Sequence, residues 1–334
     1  MIAAPALWTR DGRLARVLSP LSCAVAAITA RRVARGGWRA PVPVICCGNA
    51  TVGGAGKTTL VLDLARRLTA RGVAVHILLR GYGGTARGPR RVTKGDSVAA
   101  TGDEALLLAE AAPTWTGADR AASAMAAVAA GAQVLLMDDG LQNPSLEKTV
   151  SLLVVDGATG FGNGRVLPAG PLREPVAAAA SRCQAVVLIG TDDTGALAQL
   201  PRGLPVLRAD LAQGDEIASL IGRRVLAFAG IAIPGKFFDA LERAGVVLAG
   251  REAFADHHAF TAKELARLDA TARALGAVLV TTPKDAVRMP AGMTVRLNVH
   301  VVSVHLTWNE EAAIDVLLDE LISSQSLTNE RSVP

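Results

Sequence analysis

Two stretches of this sequence have the residue types and spacing to handle a nucleoside triphosphate. In the first, Gly53-Gly54-Ala55-Gly56-Lys57-Thr58-Thr59 stands between an apolar run at 42–47 and a segment of helical spacing at 57–71. Glycines let backbone N–H groups close around phosphates, and a helix amino end adds positive potential. Lys57 is the residue to reach the terminal phosphates, and Thr58 the one to ligate Mg²⁺. The predicted nucleotide loop runs from Thr51 and Val52 through Thr59, with ATP and Mg²⁺ as its ligands. The full phosphate-loop spacing wants glycine at position 51, where Thr51 stands, but Gly53 and Gly54 supply the flexibility. In the second stretch, the apolar residues 133–137 end in Asp138-Asp139-Gly140. Two carboxylates at a strand end repel each other without a cation, so the pair suits a metal better than a plain capped turn.

Further groups suit an acceptor. Asp103 and Glu104 follow Thr101-Gly102 at a predicted helix start, where the helix dipole favours any acid. On position alone that plain reading wins. Asp256-His257-His258 sets imidazoles beside an acid and suits a proton relay, though a solvated loop or a metal ligand set has the same composition. Arg80-Gly81-Tyr82-Gly83-Gly84, and the 163–175 segment with Asn163, Arg165 and Arg173, are loops shaped by glycine and proline. Their guanidinium groups suit anions, and each loop would serve equally as a turn with exposed arginines.

Such residues need strands that end at the right place. Short apolar runs at 42–47, 73–79, 133–137, 150–155 and 185–189 are separated by helix-length segments, as parallel βαβ units require. The predicted fold class is α/β: a P-loop NTPase-like, doubly wound, mainly parallel sheet. After 201–205 the order restarts with a strand at 224–229, a helix near 236–244 and strands at 277–281 and 300–304. This predicts a second, smaller α/β domain, closed by a helix at 308–323. The expected divisions are an amino-terminal segment at 1–40, a phosphate-loop domain at 41–220, the smaller domain at 221–323 and a loose tail at 324–334.

Half of the 334 residues are hydrophobic and only 3% are aromatic, which suits packed parallel strands better than an antiparallel sandwich. The four cysteines form no C-x-x-C pair and no metal-ligand spacing, in keeping with a reducing cytoplasm. The net charge of +5 is unevenly placed: residues 1–40 hold seven arginines against Asp11, a balance of +6, leaving −1 for the rest. A nearly neutral body argues against nucleic acid as a partner. No feature calls for an obligatory protein partner. Residues 17–30 are uncharged but contain Pro20, and they fall short of the roughly 20 residues that cross a bilayer. With arginines on both flanks and Trp38 beyond, the segment reads as a helix lying on an anionic membrane surface. A secretory signal has the same order of features, but a site for cytosolic ATP follows at once. A helix packed on the core is the other plain reading.

Taken together and in order, these segments resemble the lipid A 4'-kinase family, from the amino-terminal helix to beyond residue 288. The likeness is carried by Gly48-Asn49-Ala50-Thr51-Val52-Gly53-Gly54, Arg80-Gly81-Tyr82-Gly83-Gly84, Gly102-Asp103-Glu104 and Asp138-Asp139-Gly140-Leu141-Gln142. Residues 167–175, Ala229-Gly230-Ile231, Phe254-Ala255-Asp256-His257-His258 and Lys284-Asp285-Ala286-Val287 add to it. The resemblance implies transfer of the ATP γ-phosphoryl group to the 4'-hydroxyl of a tetraacylated glucosamine disaccharide 1-phosphate, at the cytoplasmic face of an inner membrane. It implies Asp103 as base on the sugar hydroxyl, paired with His257 or else His258, with Lys57 at the phosphates. Thr58, Glu104, Asp138 and Asp139 would serve Mg²⁺, and Arg80, Tyr82, Asn163, Arg165 and Arg173 the lipid substrate. The sequence departs from the family at Thr59, where proline is usual, and at Pro283, where glutamate is usual. A ParA/MinD-like membrane switch ATPase is the competing class, but its second P-loop lysine falls where Val52 stands.

Overall fold

Apolar runs without a polar alternate position must be covered on both faces, and parallel strands are where such runs are stable. The structure, a computed structural model, describes residues 6–85 and 88–330. The start of the predicted 1–40 segment and the end of the predicted tail lie outside the described residues. In chain order the strands are β1 (Val44–Gly48), β2 (Val75–Leu79), β3 (Arg90–Arg91), β4 (Thr114–Thr116), β5 (Val134–Asp138), β6 (Val150–Asp156), β7 (Ala185–Ile189) and β8 (Val206–Gln213). They are followed by β9 (Arg224–Ala229), β10 (Val247–Ala253), β11 (Val278–Thr281), β12 (His300–Val301) and β13 (Val304–Trp308).

The larger sheet has the order β13-β8-β7-β6-β1-β5-β2-β4-β3 and is parallel except at its two edges. The smaller sheet, β10-β9-β11-β12, is parallel throughout. Side chains alternate between the faces of each strand, so each sheet builds two cores. In β1, Ile45 and Cys47 enter the core under the Lys57–Ala70 helix, while Val44 and Cys46 enter the one on the opposite face. In β9, Val225 and Ala227 face one core and Leu226 and Phe228 the other. Because β1 lies between β5 and β6, successive connections diverge at its carboxyl end and leave a crevice there for a ligand.

Two expectations need correction. Residues 300–304 were predicted as one strand and 308–323 as a helix closing the smaller domain. Instead β12 ends at Val301, and β13 crosses back to pair antiparallel with β8 in the larger sheet. The helix that follows, Glu311–Glu330, runs beyond the predicted tail boundary and lies along the phosphate-loop helix. There Arg67 pairs with Asp315, Arg71 pairs with Asp315 and Asp319, and Trp308 donates its indole N–H to Asp63. A short edge strand with one face exposed carries no mark of which sheet it joins.

The amino-terminal helix also exceeds its prediction. It spans Arg13–Val33, 21 residues, and continues through Pro20. By length and composition it could cross a membrane. Its contacts are those of a helix lying against the body. Ser22 donates to the Val166 carbonyl at 2.7 Å, Thr29 to that of Arg173 at 3.3 Å, and Asp11 pairs with Arg165 at 2.7 Å. Leu14, Val17, Leu21 and Ile28, all more than half exposed, recur at spacings of three, four and seven and so form one apolar stripe open to the surroundings.

Candidate active site

The nucleotide loop follows from strand, glycine and helix in turn. Gly56 has φ +83°, a left-handed conformation that caps the Lys57–Ala70 helix, and a Cβ there would meet the Ile189 side chain at 2.5 Å. Gly53 has φ +115° with open space around it, as a loop that admits phosphate requires. The first N–H groups of the helix have no intrahelical acceptor, so they point at whatever fills the loop. The loop is steadied from outside: the Val52 N–H donates to the Pro171 carbonyl at 2.8 Å, and that of Arg173 to the Ala50 carbonyl at 2.7 Å. Thr51 forms a bridge with Leu172. Lys57 is buried, and its ammonium is folded back onto Asn49 Oδ1 at 2.9 Å, with Asp139 at 3.7 Å.

Pairing of β1 with β5 sets Cys47 beside Asp138, which delivers the two carboxylates to the loop. Asp138 Oδ2 accepts from the Thr58 hydroxyl at 3.3 Å, and Asp138 Oδ1 is buried with no hydrogen-bond partner among the described residues. Burial, joined by the nearby charge of Glu104, pushes the Asp138 carboxyl up to about 7. An orphaned carboxylate oxygen beside a threonine hydroxyl fits Mg²⁺, which takes few protein oxygens and fills its shell from phosphate and water. Asp139, at φ +53°, accepts a bidentate pair from Arg173 at 2.8 and 2.9 Å. Burial would raise this carboxyl, but Lys57 and Arg173 outweigh it and hold Asp139 below the ordinary range.

The acceptor side is assembled from both sheets. Asp103 opens the Asp103–Ala109 helix, and His257 sits in the loop after β10 at φ +59°. Their side chains meet at 2.7 Å between Nδ1 and Asp103 Oδ2. Burial works to raise the Asp103 carboxyl, yet the His257 hydrogen bond and the charges of His257, Arg288 and Lys284 bring it below normal. The bond to Asp103 in turn raises His257. His258 turns away to Glu264 at 3.1 Å and stacks on Phe254, so the geometry selects His257 as the partner of Asp103. Among the described residues no group of three or more His, Cys, Asp or Glu is gathered so as to hold a metal ion.

Other expected residues fall elsewhere. Glu104 pairs with Lys284 at 2.7 Å, and the charges of both reach Asp138. Arg80 and Tyr82 are exposed, and their loop touches the start of the Asp103 helix: a Cβ on Gly102 would meet the Tyr82 carbonyl at 2.5 Å. Asn163 and Arg165, expected at the lipid substrate, hold their loop to the segment that leads into the amino-terminal helix. Asn163 donates to the carbonyls of Leu7 and Ala169, both at 2.9 Å, and Arg165 binds Asp11. Arg173, expected there too, is committed to Asp139.

Several residues went unassigned in the sequence. Asn49 holds Lys57, and Gln142 links the Asn49 carbonyl at 3.0 Å to Glu174 at 2.8 Å. Arg288, nearly buried, lies 3.6 Å from Asp103 and bonds Asp285 and the Gly230 carbonyl. All but Arg288 stand in the motif stretches quoted above, yet spacing alone does not show which of their atoms meet.

The chain resembles known proteins over nearly its whole length. The family model for LpxK, tetraacyldisaccharide-1-P 4'-kinase, matches residues 14–323. A tetraacyldisaccharide 4'-kinase of Gluconacetobacter diazotrophicus is 56% identical, covering 97% of this chain and 99% of that protein. One from Gluconobacter oxydans is 50% identical over 96% and 98%. The crystal structure of LpxK from Aquifex aeolicus in complex with ATP superposes with a TM-score of 0.74 at 26% identity, covering 92% of this chain and 99% of that one. With the phosphate loop, the aspartate pair and the Asp103–His257 contact in place, the chain belongs to the tetraacyldisaccharide-1-P 4'-kinase family, LpxK.

Proposed function

We propose that the chain transfers the γ-phosphoryl group of ATP to the 4'-hydroxyl of a tetraacylated glucosamine disaccharide 1-phosphate, forming lipid IVA. The observation that carries this reading is the 2.7 Å contact of Asp103 with His257 beside a phosphate loop. A hydroxyl is a poor nucleophile, and phosphoryl transfer gains chiefly from positioning and charge. Asp103 takes the hydroxyl proton while His257 fixes the carboxylate's direction. Lys57 leaves Asn49 to bind the terminal phosphates. Thr58 and Asp138 hold Mg²⁺, which supplies charge neutralisation at the phosphates. Arg80 and Tyr82, exposed at the rim next to Asp103, bind the headgroup.

The apolar stripe of Leu14, Val17, Leu21 and Ile28, within the arginine-rich first forty residues, supports seating on the anionic cytoplasmic face of the inner membrane. Contacts of the same helix with the 163–175 loop favour an interfacial position over a spanning one. Radiolabelled ATP and the lipid A disaccharide precursor in detergent micelles test the reaction: label is expected in the lipid. Label released only as phosphate, with none in lipid, would support the switch ATPase instead.

A further inference from the structure

The loop that carries His257 holds a second acid with no use so far. Asp256 is largely buried, and its Oδ2 has no hydrogen-bond partner among the described residues. Buried polar atoms are almost always satisfied, and an unsatisfied one marks a role not yet engaged. The same oxygen lies 3.8 Å from His257 Nε2, on the side of the ring away from Asp103. The backbone arranges this: His257 has φ +59°, and its N–H is held by the Gly230 carbonyl at 3.0 Å. That left-handed turn brings the ring between its own neighbour and the Asp103 helix. The Gly230 carbonyl also accepts from Arg288, and the Gly230 N–H donates to Asp285 Oδ1, so the support is itself fixed.

We propose that Asp256 is a positioning residue for phosphoryl transfer: it faces the second imidazole nitrogen of His257 and holds the ring, doubly protonated, between two carboxylates. This rests on the reading of Asp103 and His257 as the proton-handling pair. A neutral imidazole has one N–H and can satisfy only one of two acids; the imidazolium has two and satisfies both. With Nδ1 always carrying hydrogen, Asp103 stays an acceptor with its free lone pairs turned to the sugar hydroxyl. Without Asp256, the neutral ring has a tautomer whose bare Nδ1 faces the Asp103 carboxylate. The charged groups acting on the ring are Asp103 from its helix, Asp256 from its own loop and Arg288 from the segment after β11, where Lys284 acts on Asp103. Arg288 works against the imidazolium, which leaves the two acids to hold it.

The test is NMR titration of isotope-labelled histidine in the full chain, with Asp256→Asn beside the wild type. His257 is expected to titrate about one pH unit lower in the variant, with His258 and the fold unchanged. The alkaline limb of kcat/KM for the lipid should move down with it, while KM for ATP holds. Asp256→Ser, smaller and uncharged, must behave alike, and serves should the asparagine variant fold poorly. An unshifted His257 titration overturns the proposal, even if activity falls. A shifted titration in an enzyme whose turnover is indifferent to His257→Ala upholds the ion pair but sinks the proton-handling reading beneath it.

Discussion

The nucleotide side and the acceptor side of this cleft are built in opposite ways. Lys57 and Thr58 open the helix that follows β1, and Asp138 ends β5, the neighbour of β1 in the same sheet. Asp103 and His257 are 154 residues apart; one opens a helix beside the larger sheet, the other lies in the loop after β10 of the smaller, and they meet only where the two units touch. The first arrangement is complete within the larger sheet. The second exists only while the smaller one is docked. Phosphate binding can therefore survive changes that separate the sheets, whereas acceptor activation cannot.

On the nucleotide side, the largest effect should come from Lys57→Ala. Removing the Lys57 ammonium from the phosphate loop should cost at least about 10²–10³-fold in turnover, since preorganised charge is the main source of acceleration. Circular dichroism should remain that of the wild type. Because Lys57 is buried and bonded to Asn49, a lost fold would show instead that it is chiefly structural.

Arg173→Lys separates the two sides more finely. A lysine cannot reproduce the bidentate bonds to Asp139. Apparent Mg²⁺–ATP affinity should drop about tenfold, as for other groups that steady metal-side ligands, with KM for the lipid unchanged. A rise in lipid KM alone would return Arg173 to the acceptor side, where its loop composition first placed it.

The smallest effect on turnover should follow from glutamine at Leu14, Val17, Leu21 and Ile28 together. Binding to anionic vesicles should weaken by at least about tenfold, because four exposed apolar side chains lose their burial in the interface. Turnover in detergent micelles should stay within about twofold, since these side chains touch neither half of the site. Undiminished vesicle binding would assign membrane contact to another surface.

The same contrast explains what was legible in the sequence. Residues 185–189 and 224–229 became strands at their predicted bounds, because unbroken apolar runs between helix-length segments have one stable use in such a fold. The phosphate loop was legible for the same reason: strand, glycines and helix are adjacent in the chain. The return of β13 to the larger sheet was not, since its alternating Val-His-Leu-Thr-Trp would fit the edge of either sheet. The resemblance placed Glu104 at the metal, and only the fold reveals Lys284 opposite it. Asn163 and Arg165 looked like anion binders, yet their partners Leu7, Asp11 and Ser19 lie in the amino-terminal segment, more than 140 residues away.

The most direct test of an acceptor site made by two docked sheets is a double-mutant cycle on Asp103 and His257. Turnover is measured at saturating ATP for Asp103→Ala, His257→Ala and both together, with ATP affinity measured alongside. Each single change should cost about 10²–10⁴-fold, ATP affinity should hold, and the double variant should be little worse than the poorer single one. Losses that multiply would show two independent roles and contradict a shared proton-handling unit.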